Sequence, residues 1–263
     1  MSLYRNKDAA DLYDHLCEED GDAAARWVDH FVATGKMTNV FPELLPLTTT
    51  IAVGHKDIYR HTLQVVAATR PYIILRIAAL LHDIGKPATR RFTSQGPTFH
   101  GHEAVGARMV RRITQRLDFP DDLAASTINL VALHMRANQF DGTYSDSGVR
   151  RLMREAGSDL PWLLELSRAD ITTGNARKRN AALAGVDELE RRIAEIKAEE
   201  AHNAIGSPLD GNDLCAIFAQ PPGPWIRPIK DKLIEMVRLG TLKPDDRDGA
   251  VEKAMEMFYG NNR

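Results

Sequence analysis

The chain has 263 residues, 43% of them hydrophobic and 27% charged, with a net charge of −2. That length allows one large or two small domains, and the balance is that of a globular protein with no whole-chain bias toward nucleic acid or membrane. Cys17 and Cys215 stand far apart with no CxxC pattern, which argues against a disulfide framework or a cysteine zinc site and for a reducing compartment. No apolar run approaches the ~20 residues of a membrane span. Met1 to Asp20 is polar and acidic without a signal-peptide core, so the sequence reads as cytoplasmic, with no membrane partner.

Asp22 to Thr34 predicts an amphipathic helix with Trp27, Val28, Phe31 and Val32 on one face and Gly35 as its stop. Phe41 to Leu47, with two prolines, reads as a connector. Asp57 to Thr69 predicts the next helix, with Pro71 just beyond it. Ile74 to Ile84 follows, apolar on nearly every side and closed by Gly85 and Pro87. Arg91 to His100 turns through Ser94-Gln95-Gly96-Pro97 and predicts a short β-hairpin or loop. Helices then dominate: Glu103 to Leu117, Leu123 to Met135, Val149 to Glu155, and one with Pro161 near its first turn that runs to about Ile171.

Ala181 to Ala204 carries Val186, Leu189, Ile193 and Ile196 on one stripe amid dense charge, the pattern of a long surface helix. Leu214 to Phe218, Ile226 to Leu239 and Asp248 to Phe258 are the closing helices, and Pro221-Pro222-Gly223-Pro224 is a rigid turn. The expected architecture is all-α, a helical core with a possible small hairpin. It divides into an N-terminal helix and connector (1–50), a core (51–205) and a C-terminal helical extension (206–263) that we expect to fold onto the core.

The chemistry concentrates at His82-Asp83. A helix apolar all round is buried, and burying a carboxylate beside an imidazole costs roughly several kcal/mol unless something compensates. A divalent metal suits these residue types, and other polar residues on apolar faces can complete its shell. His61 lies between Ile58 and Val65, His134 follows Leu130 and Val131, and Asp170 follows Leu163 and Leu166 at helical spacing. Each has a plainer reading alone: a satisfied core histidine, a helix cap at Asp83, a backbone hydrogen bond at His134. Their joint occurrence on separate apolar helices favours a metal centre. Imidazole with carboxylate fits Zn²⁺, Ni²⁺, Mn²⁺, Co²⁺, Fe²⁺ or Mg²⁺ without choosing among them. Water coordinated there would become a nucleophile near neutral pH. Lys86, one turn past His82, suits an anionic phosphate.

The order His61, His82-Asp83, Asp170 resembles the HD superfamily of metal-dependent phosphohydrolases. The likeness sharpens over several strings: His55-Lys56-Asp57-Ile58-Tyr59-Arg60-His61-Thr62-Leu63, Arg76 through Pro87, Phe99-His100-Gly101-His102-Glu103, and Leu166 through Asn175. Together with Phe41-Pro42-Glu43-Leu44, Pro208 through Asp213 and the 221–224 turn, they resemble the HD-containing half of bacterial tRNA nucleotidyltransferases, over roughly residues 22 to 245. The resemblance implies His61, His82, Asp83 and Asp170 as metal ligands, and His102 and His134 as completing a second site, with His100 a weaker candidate. It also implies Asp83 and Lys86 as catalytic residues, Lys86 as a phosphate contact, and Glu103 as a partner that orients an imidazole. With Lys86 we take Arg136 and Arg168 as substrate-binding residues.

The family's Gly-Ser loop and paired aspartates for nucleotide addition have no counterpart before His55, where we expect at most one helix and a connector. By itself this chain is not expected to add CCA. Two functions stay open. One is a hydrolase, holding one or two divalent ions, for a nucleotide or RNA-end phosphomonoester or phosphodiester such as a 2′,3′-cyclic phosphate. The other is a binding module, the tRNA-holding part of a split nucleotidyltransferase, in which Arg108, Arg111, Arg112, Arg116 and Arg177-Lys178-Arg179 contact phosphates. Solvated helix faces are the plainer reading of those arginines. An inert relic with its ligands intact ranks last, because uncompensated buried charges are costly to keep.

Overall fold

The computed structural model describes residues 6–51, 57–94, 96–140, 142–203 and 205–260, so His55 and Lys56 of the sequence motif lie outside the described residues. The N-terminal part holds more helix than its sequence suggested. α1 (Lys7–Leu16) is started by the Asn6 side chain, which accepts from the amides of Asp8 and Ala9. α2 (Gly21–Ala33) is started by Asp20, and a short α3 (Met37–Val40) follows. The expected connector is a 3₁₀ segment over Pro42–Thr49. The polar composition of α1 hid it: Ala9, Leu12 and Leu16 are its buried residues, a stripe too narrow to stand out.

α4 (Ile58–Ala68) begins where Asp57 accepts the Arg60 amide. α5 (Ile73–Leu81) is buried from Leu75 to Leu81 and stops about one turn earlier than the apolar run predicts. Beyond Leu81 the backbone tightens into three-residue turns, Ile84 N–H to Leu81 C=O at 3.3 Å and Lys86 N–H to Asp83 C=O at 2.9 Å, and passes into α6 (Lys86–Thr89). His82 and Asp83 therefore sit on a tight corner, both 1% exposed. The hairpin is present: β1 (Arg91–Thr93) pairs antiparallel with β2 (Gly96–Thr98), with Phe92 opposite Pro97.

α7 (His102–Arg116), α8 (Asp121–Asn138), α9 (Asp146–Ala156) and α10 (Leu160–Asp170) complete the frame of the site. α8 is central, packing on α7, α10 and α5, while α4 packs on α2 and α5. Gly85 locks the corner to α7. A Cβ built there would lie 2.1 Å from the His102 carbonyl oxygen and 2.7 Å from the Gly106 nitrogen, so only glycine permits this approach. Arg76 is wholly buried within α5, its Nε donating to the Arg70 carbonyl at 3.1 Å. Burial pulls its pKa down, against which Cys17 and the nearby acids Asp20 and Glu19 act.

The chain divides into two units, Met1–Ile193 and Ala194–Arg263. This division falls inside α11 (Ala176–Asn203). Val186, Leu189 and Ile193 of its stripe belong to the first unit and Ile196 to the second, and all four are buried. The second unit adds α12 (Gly211–Phe218), opened by a reciprocal Asp210–Asp213 capping box, α13 (Ile226–Arg238) and α14 (Arg247–Gly260). Leu209, Leu214, Phe218, Leu233 and Ala254 belong to a core of its own, with Phe218 stacked on Phe258 at 4.2 Å.

Candidate metal centre

Four helices and the α5–α6 corner aim their polar side chains at one point. His61 comes from α4, His82 and Asp83 from the corner, His102 from the first residue of α7, His134 from α8 and Asp170 from the last residue of α10. Two sets of three, His61/His82/Asp83 and Asp83/His102/His134, each offer ligand atoms within 4.8 Å of one another, and Asp83 belongs to both. Its Oδ2 lies 3.2 Å from His82 Nε2 and 3.6 Å from His61 Nε2; its Oδ1 lies 3.3 Å from His102 Nε2. Asp170 closes the first side, with Oδ1 2.8 Å from His61 Nε2 and 3.6 Å from His82 Nε2. The cluster brings together all six residues expected from the sequence as ligands. His100 stays outside these sets and lies exposed on the wall of a neighbouring cleft.

The hydrogen bonds fix how the imidazoles point. Nδ1 of His82, His102 and His134 lies 2.8 Å from the carbonyls of Ala79, Phe99 and Val131 respectively. A carbonyl only accepts, so each Nδ1 carries a proton, and in a neutral ring Nε2 presents a bare lone pair. His61 Nδ1 is held by the Thr172 hydroxyl at 2.8 Å. The Nε2 atoms then meet head to head, His102 with His134 at 3.2 Å and His61 with His82 at 3.3 Å. At His102 and His134 two lone pairs at that distance repel unless a cation stands between them. The Thr172 hydroxyl can donate as well as accept, so His61 can carry its own proton on Nε2 toward Asp170 Oδ1. The donor set of imidazole and carboxylate suits a divalent metal and fits it in number and aim.

A proton can also serve as the cation, and the electrostatics place it. Burial opposes charge on His82, but the carboxylates of Asp83 and Asp170 outweigh it and raise its pKa to about 9. Burial likewise opposes charge on Asp83, yet His82, His102 and Lys86 hold it well below the usual carboxylate range. Asp170 is brought down to about 2 against burial, by His82 and His61. His134 goes the other way: burial and the neighbouring His82 push it down to about 4 and keep it a neutral donor.

Lys86 closes the outer side. Its Nζ is 2.5 Å from Asp83 Oδ2 and 6.0 Å from the centre of the Phe99 ring. It lines a cleft of about 460 Å³ with Phe99, His100, His102, Glu103, Met135 and Gln139. The other expected substrate residues face elsewhere. Arg136 pairs with Glu155, and Arg168 bonds Asp187 at 2.9 Å and Glu190 at 2.5 Å. Glu103 is 3.6 Å from His102 Nδ1, beyond a hydrogen bond, so the Phe99 carbonyl rather than Glu103 orients that ring.

Two supporting residues escaped the sequence reading. Asn138 donates its amide to Asp170 Oδ2, while its own Oδ1 is buried without a partner. It lies one turn past His134 on α8, a spacing that could have exposed it. Thr172, two residues past Asp170, carries no periodic signal because it lies beyond the helix end.

Residues 58–172 match the HD domain family, and this window contains all six ligand candidates. The matched segment is similar to HD domains over less than half of the chain. The chain is also similar to an A-adding tRNA nucleotidyltransferase of Deinococcus radiodurans, 31% identical over 250 residues, covering 90% of this chain and 56% of the relative. A CC-adding tRNA nucleotidyltransferase of Thermus thermophilus is 37% identical over 90 residues, 32% of this chain and 21% of the relative. The chain thus spans about half the length of the first relative and about a fifth of the second. Among the described residues no helix is long and apolar enough to cross a membrane.

Proposed function

We propose that the chain is a cytoplasmic divalent-metal-dependent phosphohydrolase acting on nucleotide or RNA-end phosphomonoesters or phosphodiesters, such as a 2′,3′-cyclic phosphate. The observation that carries this reading is the convergence of four imidazoles around Asp83, with His61 facing His82 at 3.3 Å and His102 facing His134 at 3.2 Å. His61, His82, Asp83 and Asp170 hold one ion, and Asp83, His102 and His134 a second. A divalent ion in this place supplies Lewis acidity toward a phosphoryl oxygen and lowers the pKa of water.

The chain's own residues do the rest. Backbone carbonyls hold the rings of His82, His102 and His134, and the Thr172 hydroxyl holds that of His61, so that Nε2 faces the centre. Lys86 sits between Asp83 and the cleft, and its ammonium transfers from the carboxylate to a substrate phosphate oxygen, offsetting charge that builds on phosphorus. Phe99 and Met135 contribute apolar surface to the cleft wall.

The test is metal content of the purified protein and of Asp83→Ala, followed by hydrolysis of a generic phosphomonoester and phosphodiester with each metal restored. Stoichiometric metal and metal-dependent turnover, both lost in Asp83→Ala, are expected. Turnover that persists without metal would overturn the reading.

A second reading, the tRNA-holding part of a split nucleotidyltransferase, draws support from similarity that extends well beyond the HD window. Arg108, Arg111 and Arg112 are exposed on α7 and form no ion pair among the described residues, whereas Arg116 is tied to Glu43. Steep salt dependence of tRNA binding, reduced by charge reversal on α7, favours this role.

A further inference from the structure

The hairpin joins two walls of the cleft. α6 begins at Lys86 and leads through Arg90 into β1; β2 leads directly into Phe99, His100 and then the ligand His102. Pro97, the cross-strand partner of Phe92, precedes His102 by five residues, at most roughly 17 Å of extended chain. The hairpin is therefore fixed at the rim of the site.

Its side chains have an unusual combination. Phe92 is 77% exposed, more than any other large apolar side chain among the described residues. One exposed apolar residue is ordinary by itself. Here the Arg90 guanidinium lies 5.4 Å from the ring centre, Arg91 is adjacent, and both arginines are exposed. Neither forms an ion pair among the described residues, unlike Arg70, Arg116, Arg136 and Arg168, which hold carboxylates. An open aromatic ring beside the free Arg90 guanidinium, with the free Arg91 on the opposite face of the strand, matches a ligand that alternates flat rings with phosphates. An acidic protein surface would satisfy the arginines and leave the ring unused.

We propose that this hairpin docks a single-stranded nucleic-acid end: a base stacks on Phe92, backbone phosphates pair with Arg90 and Arg91, and the terminal phosphate enters the cleft at Lys86. The last step rests on the phosphohydrolase reading; the docking does not. A duplex hides its base faces, so the hairpin selects single strands, with little preference for base identity.

The experiment is fluorescence anisotropy of the full chain with a labelled RNA oligonucleotide of about six nucleotides, and with the same strand in a duplex. Phe92→Ala should weaken single-strand binding about 5- to 100-fold and Phe92→Trp should retain it. Arg90→Ala and Arg91→Ala should each lower the slope of log affinity against log salt by about 0.7. These positions are exposed, so the thermal midpoint should not move. Hydrolysis of p-nitrophenyl phosphate, which lacks a nucleobase, should be unchanged in Phe92→Ala. If the wild type hydrolyses nothing with any metal, the phosphohydrolase reading fails while the binding comparison still reports on the hairpin. No single-strand binding by the wild type, equal binding by Phe92→Ala, or equal affinity for the duplex would overturn the docking proposal.

Discussion

Replacing Asp83 by Asn keeps the shape of the buried corner and removes its charge. Asp83 is 1% exposed and touches Lys86 at 2.5 Å, His82 at 3.2 Å and His102 at 3.3 Å. Without metal, the substitution leaves Lys86, and His82 when protonated, facing a neutral amide. Breaking a buried pair from one side costs about 3–5 kcal/mol. With metal, both ligand sets lose the member they share. An ion at a hundred times its dissociation constant stabilises the wild type by about 2.7 kcal/mol, or roughly 5–10 °C in thermal midpoint for a chain of this size. Differential scanning fluorimetry with chelator, then with each divalent ion, reads both effects. Asp83→Asn should melt lower than the wild type in chelator and gain nothing from any ion. A metal-dependent rise as large as that of the wild type would refute the shared-carboxylate geometry.

Other consequences are as direct. Gly85→Ala should destabilise by about 1–3 kcal/mol and weaken metal binding, because the corner must move off His102; denaturant unfolding and metal titration check both, and an unchanged midpoint would contradict the close packing. Asn138→Ala should leave Asp170 free to swing and lower metal affinity about 10- to 100-fold, measured by competition with a chelating dye. In the metal-free protein His82 has its pKa raised to about 9, so its stabilising contribution is full below pH 6.5 and is lost as pH rises through about 9. His82→Gln should accordingly flatten the alkaline fall of the thermal midpoint in chelator. An equally steep fall in the variant would place the titration elsewhere.

The clustered candidate ligands were legible because burial and polarity conflict at them. An imidazole or carboxylate on an apolar helix face needs a reason, and six such residues converge here. The all-α class and the hairpin followed from periodicity and from the Ser-Gln-Gly-Pro turn. Other features carried no such conflict. α1 buries three small or aliphatic residues amid acids and looks like a polar leader. Arg76 sits in a run whose neighbours are apolar, yet sequence alone does not reveal that backbone carbonyls will receive its guanidinium. Arg136 and Arg168 lie two residues from ligands, but α8 and α10 turn about 100° per residue, so proximity in sequence carried their heads to Glu155 and to Asp187 and Glu190. Asn138 shares a helix face with His134, and its role became visible only when α10 was placed beside α8.

The position of Asp83 gives the centre an uneven tolerance to change. Loss of His102 or His134 leaves the His61, His82, Asp83 and Asp170 side complete. Loss of His61 or Asp170 leaves the Asp83, His102 and His134 side complete. On the proposed two-ion reading, single substitutions at the periphery remove one site and leave the other. At Asp83 both sets lose a member at once, so a single substitution there bears on both candidate sites.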